Sequence, residues 1–128
     1  MSDQQFIKNY LQDFIEALKP DDDSVESLIQ VRNLLLEVNS NKKKALIFGN
    51  GGSAAIASHF SVDLTKNAKI KCLNFNEASL ITCLANDYGF EHWAEKAIEF
   101  YGNEGDLLIV ISSSGQSENM LNAVEAAR

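Results

Sequence analysis

The chain has 128 residues, of which 45% are hydrophobic and 23% are charged, and its formal net charge is −7 at pH 7. This length and composition are typical of one globular domain. The acidic balance argues against nonspecific nucleic-acid binding, and no apolar segment is long enough to cross a bilayer. Because the N-terminus also lacks the basic and apolar regions of a signal peptide, we expect a cytoplasmic protein with no nucleic-acid or membrane partner.

Two amphipathic helices are predicted ahead of the first strand, over residues 4–18 and 24–39. Apolar residues recur at three- and four-residue spacing in the first, which ends at Pro20 and the acidic run after it. Ser24 can cap the second. We assign residues 1–42 to these helices, and their apolar faces either cover the sheet or form an interface between subunits.

Strand, turn and helix then follow one another twice. The apolar run 44–48 precedes the turn Gly49-Asn50-Gly51-Gly52-Ser53, and the apolar run 106–111 precedes Ser112-Ser113-Ser114-Gly115-Gln116-Ser117. Such turns present backbone N–H groups and hydroxyls at the positive end of a helix dipole, which suits a phosphate. Alternatively, each turn is only a tight connection of the kind that small α/β domains need in any case.

Neither turn fits a nucleotide-binding signature. The chain has no Gly-x-x-x-x-Gly-Lys-Ser/Thr motif, and the first turn lacks the third glycine of Gly-x-Gly-x-x-Gly. A hydroxyl-rich turn without a P-loop lysine instead fits a sugar phosphate or a similar small monoester.

Between these turns the pattern predicts a third strand at 70–75, a short helix at 77–84, a turn at 86–89 and a helix at 90–100. Three strands that alternate with helices indicate a parallel sheet. Parallel sheets are covered on both faces and seldom stop at three strands, so we expect further strands and a helix beyond Arg128.

The two cysteines and His92 carry no functional motif. Cys72 and Cys83 lack CxxC spacing and a disulfide-rich context, so we expect both to be reduced and buried. His92 is interpreted as structural or solvent-facing.

Four motifs in order carry a resemblance to a known family. They are Gly49-Asn50-Gly51-Gly52-Ser53-Ala54, His59-Phe60-Ser61-Val62-Asp63-Leu64-Thr65, Ala85-Asn86-Asp87-Tyr88-Gly89-Phe90-Glu91, and Glu104-Gly105-Asp106-Leu107-Leu108 leading into Ile111-Ser112-Ser113-Ser114-Gly115-Gln116-Ser117. From the N-terminal helices to Arg128, the chain resembles the sugar isomerase (SIS) domain family and, within it, the bacterial phosphoheptose isomerases.

The resemblance implies a fold, an assembly and a reaction. The fold is a flavodoxin-like three-layer α/β/α structure with a parallel sheet, of which residues 43–128 form the N-terminal part. The assembly is a homotetramer held partly by the N-terminal helices. The reaction converts sedoheptulose 7-phosphate to D-glycero-D-manno-heptose 7-phosphate, for heptose, lipopolysaccharide or capsule biosynthesis.

The resemblance also implies which residues bind the sugar phosphate. They are Asn50, Gly51, Gly52, Ser53, Asn86, Asp87, Ser112, Ser113, Ser114 and Ser117. The serines are expected around the phosphate, and Asn50 and Asp87 near the sugar hydroxyls.

Asp63 occupies the position of the family's catalytic glutamate. Isomerisation through an enediolate needs a base and a group that polarises the carbonyl oxygen. Aspartate is one methylene shorter than glutamate, and a small misplacement of a catalytic group costs a large factor in rate. The family's other catalytic residue is a histidine on a later helix, beyond Arg128, so we expect the 128-residue chain to be inactive by itself.

His59 and Asp63 lie four residues apart, on one side of a helix, and some family members use this pair in a zinc site. The remaining zinc ligands of those members also lie beyond Arg128, so any zinc site here is expected to be incomplete. Without the resemblance, His59 is more simply a helix histidine satisfied by a neighbour.

A non-catalytic binding protein is the alternative interpretation. Some family members act as tetrameric scaffolds, one type of which binds a replication initiator, and others sense sugar phosphates. The aspartate at position 63 favours this alternative, whereas the serine-rich turn, Asn86-Asp87 and His59 favour the isomerase. A nucleotide-binding module is a third alternative, but no sequence feature suggests a base pocket.

Overall fold

The computed structural model describes residues 1–128 and shows a parallel sheet of three strands with six helices. The strands are β1 (Ala45–Gly49), β2 (Cys72–Asn74) and β3 (Leu107–Ile111), in the order β2-β1-β3. The helices are α1 (Asp3–Ala17), α2 (Asp22–Ser40), α3 (Gly52–Lys66), α4 (Ala78–Tyr88), α5 (Trp93–Tyr101) and α6 (Glu118–Ala126). The predicted α/β fold with a parallel sheet is confirmed.

The chain divides into two compact units, Met1–Asn33 and Leu34–Arg128, so the boundary falls within α2. In the first unit no residue of α1 is buried. The large apolar side chains of this helix, together with Leu18 at its C-terminal cap, are between 51% and 64% exposed: Phe6, Ile7, Tyr10, Leu11, Phe14, Ile15 and Leu18. No helix in either unit is both long and apolar enough to cross a membrane.

The second unit has its core on both faces of the sheet. Successive residues of a strand point to opposite faces, and every residue of β1 is buried. Leu46 and Phe48 pack against α4, α5 and α6, where the Phe48 and Phe75 rings stack at 4.9 Å. Ala45 and Ile47 pack on the opposite face, against α3 and the end of α2. The sheet is therefore covered on both sides, as predicted.

Asp106 joins the starts of the two neighbouring strands β1 and β3. Its carboxylate, with a side chain only 6% exposed, is paired with the Lys44 ammonium group. It also accepts hydrogen bonds from the amides of Lys44 (3.0 Å) and Asn103 (2.9 Å). Burial opposes the charged form, but these hydrogen bonds outweigh it and hold the pKa of Asp106 below its ordinary value.

Three local predictions are wrong. The cap of α2 is Asp21 rather than Ser24: the Asp21 carboxylate accepts a hydrogen bond from the Ser24 amide at 2.8 Å, and its pKa is lowered by hydrogen bonds from Ser24. The predicted turn at 86–89 is instead the last turn of α4, which ends only at Gly89, where φ is 92°. Cys72 is buried, which raises the pKa of its thiol to about 11, but Cys83 is exposed.

Candidate functional site

The two small-residue turns lie side by side at the carboxyl edge of the sheet. β1 and β3 pair in parallel from Ala45 opposite Leu107 to Gly49 opposite Ile111, so the turns that follow them begin at the same level. A recess of about 60 Å³ lies between them, lined by Asn50, Ser53, Ile111, Ser112, Ser113 and Ser117. Ligands of open α/β sheets bind at this edge.

Glycine allows the chain to pass directly from β1 into α3. A Cβ on Gly49 would lie 2.7 Å from the backbone carbon of Ser53, and Gly51 has a φ of 53°, which L side chains rarely adopt. No side chain caps α3 at Gly51, and the Ser117 side chain makes no capping bond to α6. The Ser53 amide already donates to the Asn50 carbonyl, and the Met120 amide donates to the Ser117 carbonyl. The earlier amides, of Gly52 in α3 and of Glu118 and Asn119 in α6, are therefore left to donate to an anion at the positive end of the helix dipole.

The serines of the second turn have different surroundings. Ser112 Oγ accepts a hydrogen bond from the Gly115 amide (3.1 Å), and Ser114 Oγ accepts one from the Gln116 amide (3.2 Å). Ser114 does not line the recess, whereas Ser113 and Ser117 do. Ser112 and Ser114 thus shape the turn through an oxygen lone pair, and Ser112 also lines the recess with its O–H free to donate. Ser113 and Ser117, with Ser53 from the first turn, line the recess, and their hydroxyls have no hydrogen-bond partner.

Asn119 is a residue of the site that the sequence reasoning missed. It lies in the first turn of α6, is only 3% exposed, and is paired with Asn50 through two hydrogen bonds of 2.9 Å. One carboxamide N–H and one lone pair of Asn50 are used in this pair, and one of each remains for a ligand. The available signal was an asparagine at a buried helix position beside Met120 and Ala123.

His59 and Asp63 lie together on α3, as predicted, but outside the recess. The His59 Nε2 to Asp63 Oδ2 distance is 3.5 Å, and the side chains are 82% and 48% exposed. Asn67 Nδ2 donates to Asp63 Oδ1 at 3.1 Å. No three His, Cys, Asp or Glu side chains of the chain are grouped closely enough to hold a metal ion. Two donors do not make a zinc site, which takes at least three protein ligands.

Asn86 and Asp87 are also outside the recess, in the exposed last turn of α4. Asn86 Nδ2 donates to Asp87 Oδ1 at 2.9 Å, and the Cys83 thiol lies 3.8 Å from the other oxygen of Asp87. The structure therefore brings together Asn50 and the serines, but does not bring Asn86, Asp87 or Asp63 to the same recess.

Comparison with known proteins gives a consistent picture. The SIS domain model matches residues 6–128. A phosphoheptose isomerase of Helicobacter pylori strain P12 is 42% identical over 88% of this chain and 62% of its own length. One from Fusobacterium nucleatum is 42% identical over 77% of this chain and 54% of its own length. The chain thus spans little more than half the length of these relatives.

Solved structures agree with the sequence relatives. The structure of phosphoheptose isomerase GmhA from Neisseria gonorrhoeae superposes with a TM-score of 0.90 at 35% identity, covering 98% of this chain and 70% of the other. A phosphoheptose isomerase from Francisella tularensis gives a TM-score of 0.84 at 31% identity, covering 99% of this chain and 70% of the other. The chain belongs to the SIS domain family.

Proposed function

We propose that the protein is a phosphoheptose isomerase, which converts sedoheptulose 7-phosphate to D-glycero-D-manno-heptose 7-phosphate. The observation that carries this proposal is the recess at the carboxyl edge of the sheet, with three unengaged serine hydroxyls and two uncapped helix N-termini. These groups suit the phosphate of a sugar. The relatives that bear the name phosphoheptose isomerase support the choice of sugar.

The residues of this chain have separable roles in the proposed reaction. The recess holds the phosphate and so fixes the position and orientation of the sugar relative to the catalytic groups. Asp63 is the proposed base that moves a proton between adjacent carbons. Its half-exposed carboxylate is oriented by Asn67 and by His59. Asn50 and Asp87 are proposed to reach the sugar hydroxyls, with Asn86 as a further substrate-binding residue.

The proposed reaction does not depend on zinc, and whether the protein contains zinc is a separate question. His59 and Asp63 supply two donors, at least one fewer than a zinc site needs, so no step of the proposed reaction is routed through a metal. Metal analysis of the purified complete gene product would settle its content.

We further propose a cytoplasmic homotetramer in which the N-terminal helices contribute to the subunit interface. The support is the row of half-exposed apolar side chains on α1, because monomeric proteins rarely leave a contiguous apolar surface of that kind open to water.

A non-catalytic sugar-phosphate-binding protein is the second candidate. It is favoured by one observation: the recess can hold a phosphate without any contribution from Asp63, which lies outside it. A scaffold protein that binds a replication initiator instead of catalysing a reaction belongs to the same non-catalytic alternative.

Turnover separates these candidates. The complete gene product is incubated with sedoheptulose 7-phosphate, with and without added zinc, and the aldose product is followed. We expect conversion by the complete gene product and none by residues 1–128 alone, since proton transfer and carbonyl polarisation are needed together. Equal rates for the two forms would contradict the proposed dependence on a later histidine.

A further inference from the structure

We propose that Asn119 is a positioning residue that holds the two turns together as one preformed phosphate site. It acts through Asn50 and needs no contact with the ligand. This inference rests on the proposed function, because it concerns the same recess.

The geometry of the amide pair is reciprocal. Asn50 Nδ2 donates to Asn119 Oδ1, and Asn119 Nδ2 donates to Asn50 Oδ1, both at 2.9 Å. Each amide therefore fixes the orientation of the other. The two residues are 69 positions apart in the chain, and no other side-chain hydrogen bond joins the first turn to the second turn or to α6, which follows it.

The burial of Asn119 is better explained by its hydrogen bonds to Asn50 than by packing. With Ser61 it is one of two buried polar residues, and its neighbours in α6, Met120 and Ala123, are apolar. A buried carboxamide is costly unless it is hydrogen-bonded, so an apolar side chain would fill this space at lower cost. What the asparagine adds is a link to the turn after β1.

That link matters because the two turns follow different strands. The sheet fixes the strand ends, but the recess is formed by residues beyond them, Asn50 and Ser53 on one side and Ser112, Ser113 and Ser117 on the other. A recess that is already ordered binds a ligand without the cost of ordering loops. Loss of the pair should therefore weaken phosphate binding beyond any effect on folding.

The experiment compares Asn119→Ala with Asn122→Ala. Asn122 lies on the same helix and also anchors it by an amide hydrogen bond, to the Glu91 carbonyl at 2.9 Å, but it lies outside the recess. Calorimetry with sedoheptulose 7-phosphate and with inorganic phosphate gives Kd, and thermal melting reports folding. We expect Asn119→Ala to raise both Kd values about tenfold, because ligand binding must then order the two turns, and Asn122→Ala to change them less than about twofold.

Two further variants make the test independent of folding. Asn119→Leu fills the buried space with an apolar side chain of similar size, so it should keep the melting temperature and still weaken binding. A double-mutant cycle is measured with inorganic phosphate, which lacks the sugar hydroxyls that Asn50 is expected to contact. In this cycle, Asn50→Ala added to Asn119→Ala should cause little further loss, because both variants remove the same pair.

Wild-type affinity in Asn119→Leu, equal losses in Asn119→Ala and Asn122→Ala, or additive losses in the cycle would each overturn the role of Asn119. If the wild-type protein binds neither sedoheptulose 7-phosphate nor inorganic phosphate, the proposed function fails and this inference fails with it. If the wild type binds and Asn119→Leu binds equally well, only the inference fails.

Discussion

The serine side chains of the second turn are close in sequence but differ in what they can offer a ligand. Ser112 and Ser114 accept hydrogen bonds from amides of their own turn, which fixes their orientation but leaves each O–H free to donate, and Ser112 also lines the recess. Ser113 and Ser117 line the recess without any partner for their hydroxyls. Sequence alone indicated a hydroxyl-rich turn but could not divide the hydroxyls in this way, because the division depends on the turn's internal hydrogen bonds.

Removing the three unengaged hydroxyls should abolish most phosphate binding. The triple variant Ser53→Ala, Ser113→Ala and Ser117→Ala loses hydrogen bonds to a charged group at about 1.5–3 kcal/mol each, so we expect Kd for sedoheptulose 7-phosphate to rise well over tenfold. Calorimetry measures it, with Ser27→Ala in α2 as the control, since Ser27 bonds only to the Asp23 carbonyl of its own helix. An unchanged Kd would remove the recess as the phosphate site.

Asp63→Asn tests the proposed base. Asparagine keeps the size of the side chain and the acceptor for Asn67 but cannot take up a proton, so kcat of the complete gene product should fall by about 10²-fold or more while Kd for the substrate changes little. Steady-state kinetics and calorimetry provide the two values. A wild-type kcat would show that another group is the base.

At the scale of elements, the pair Lys44–Asp106 holds β1 and β3 at the sheet edge opposite the recess. Asp106→Asn leaves Lys44 without its counter-charge in a nearly buried position, and we expect a loss of about 3 kcal/mol in the free energy of unfolding. Glu16→Gln is the matched control: its pair with Lys19 is about two-thirds exposed, and we expect less than about 1 kcal/mol. Urea unfolding measures both variants, and similar small losses would contradict the structural role of Asp106.

The same pair predicts how stability depends on pH. The pKa of Asp106 is lower in the fold than in the unfolded chain, so the folded state binds fewer protons near that pKa. The contribution of Asp106 is present above about pH 4 and is lost as pH falls through the lower, folded pKa. Urea unfolding between pH 2 and 6 should show a steeper loss for wild type than for Asp106→Asn, whereas parallel curves would contradict this origin.

The sequence predicted the order of strands and helices because apolar runs and glycine turns are local signals. It misplaced the features that depend on distant or competing partners. Asp21 rather than Ser24 caps α2. Aspartate and serine both suit the cap position, and the sequence alone does not show which of the two side chains accepts a hydrogen bond from a free amide of the helix. Asn86 and Asp87 are turn formers by composition, but α4 continues through them until Gly89. The Asn50–Asn119 pair joins residues 69 positions apart, and no local pattern specifies it.

At the scale of the whole molecule, the apolar face of α1 predicts assembly. Leu11→Glu with Phe14→Glu places two charges on this face, where each apolar side chain buried in an interface would contribute about 1.5–3 kcal/mol. We expect light scattering to report a tetramer for wild type and for the control Gln12→Glu, and smaller species for the double variant. A wild-type monomer at micromolar concentration would contradict the proposed assembly.

Isomerisation in D₂O tests the proposed function most directly. The complete gene product is mixed with sedoheptulose 7-phosphate in D₂O, and the sugar is followed by NMR. An enediolate exchanges its proton through a base in contact with solvent, so we predict that the aldose product appears and carries deuterium at carbon 2. Binding of the sugar phosphate with neither aldose formation nor deuterium uptake would contradict the isomerase and favour the non-catalytic binding protein.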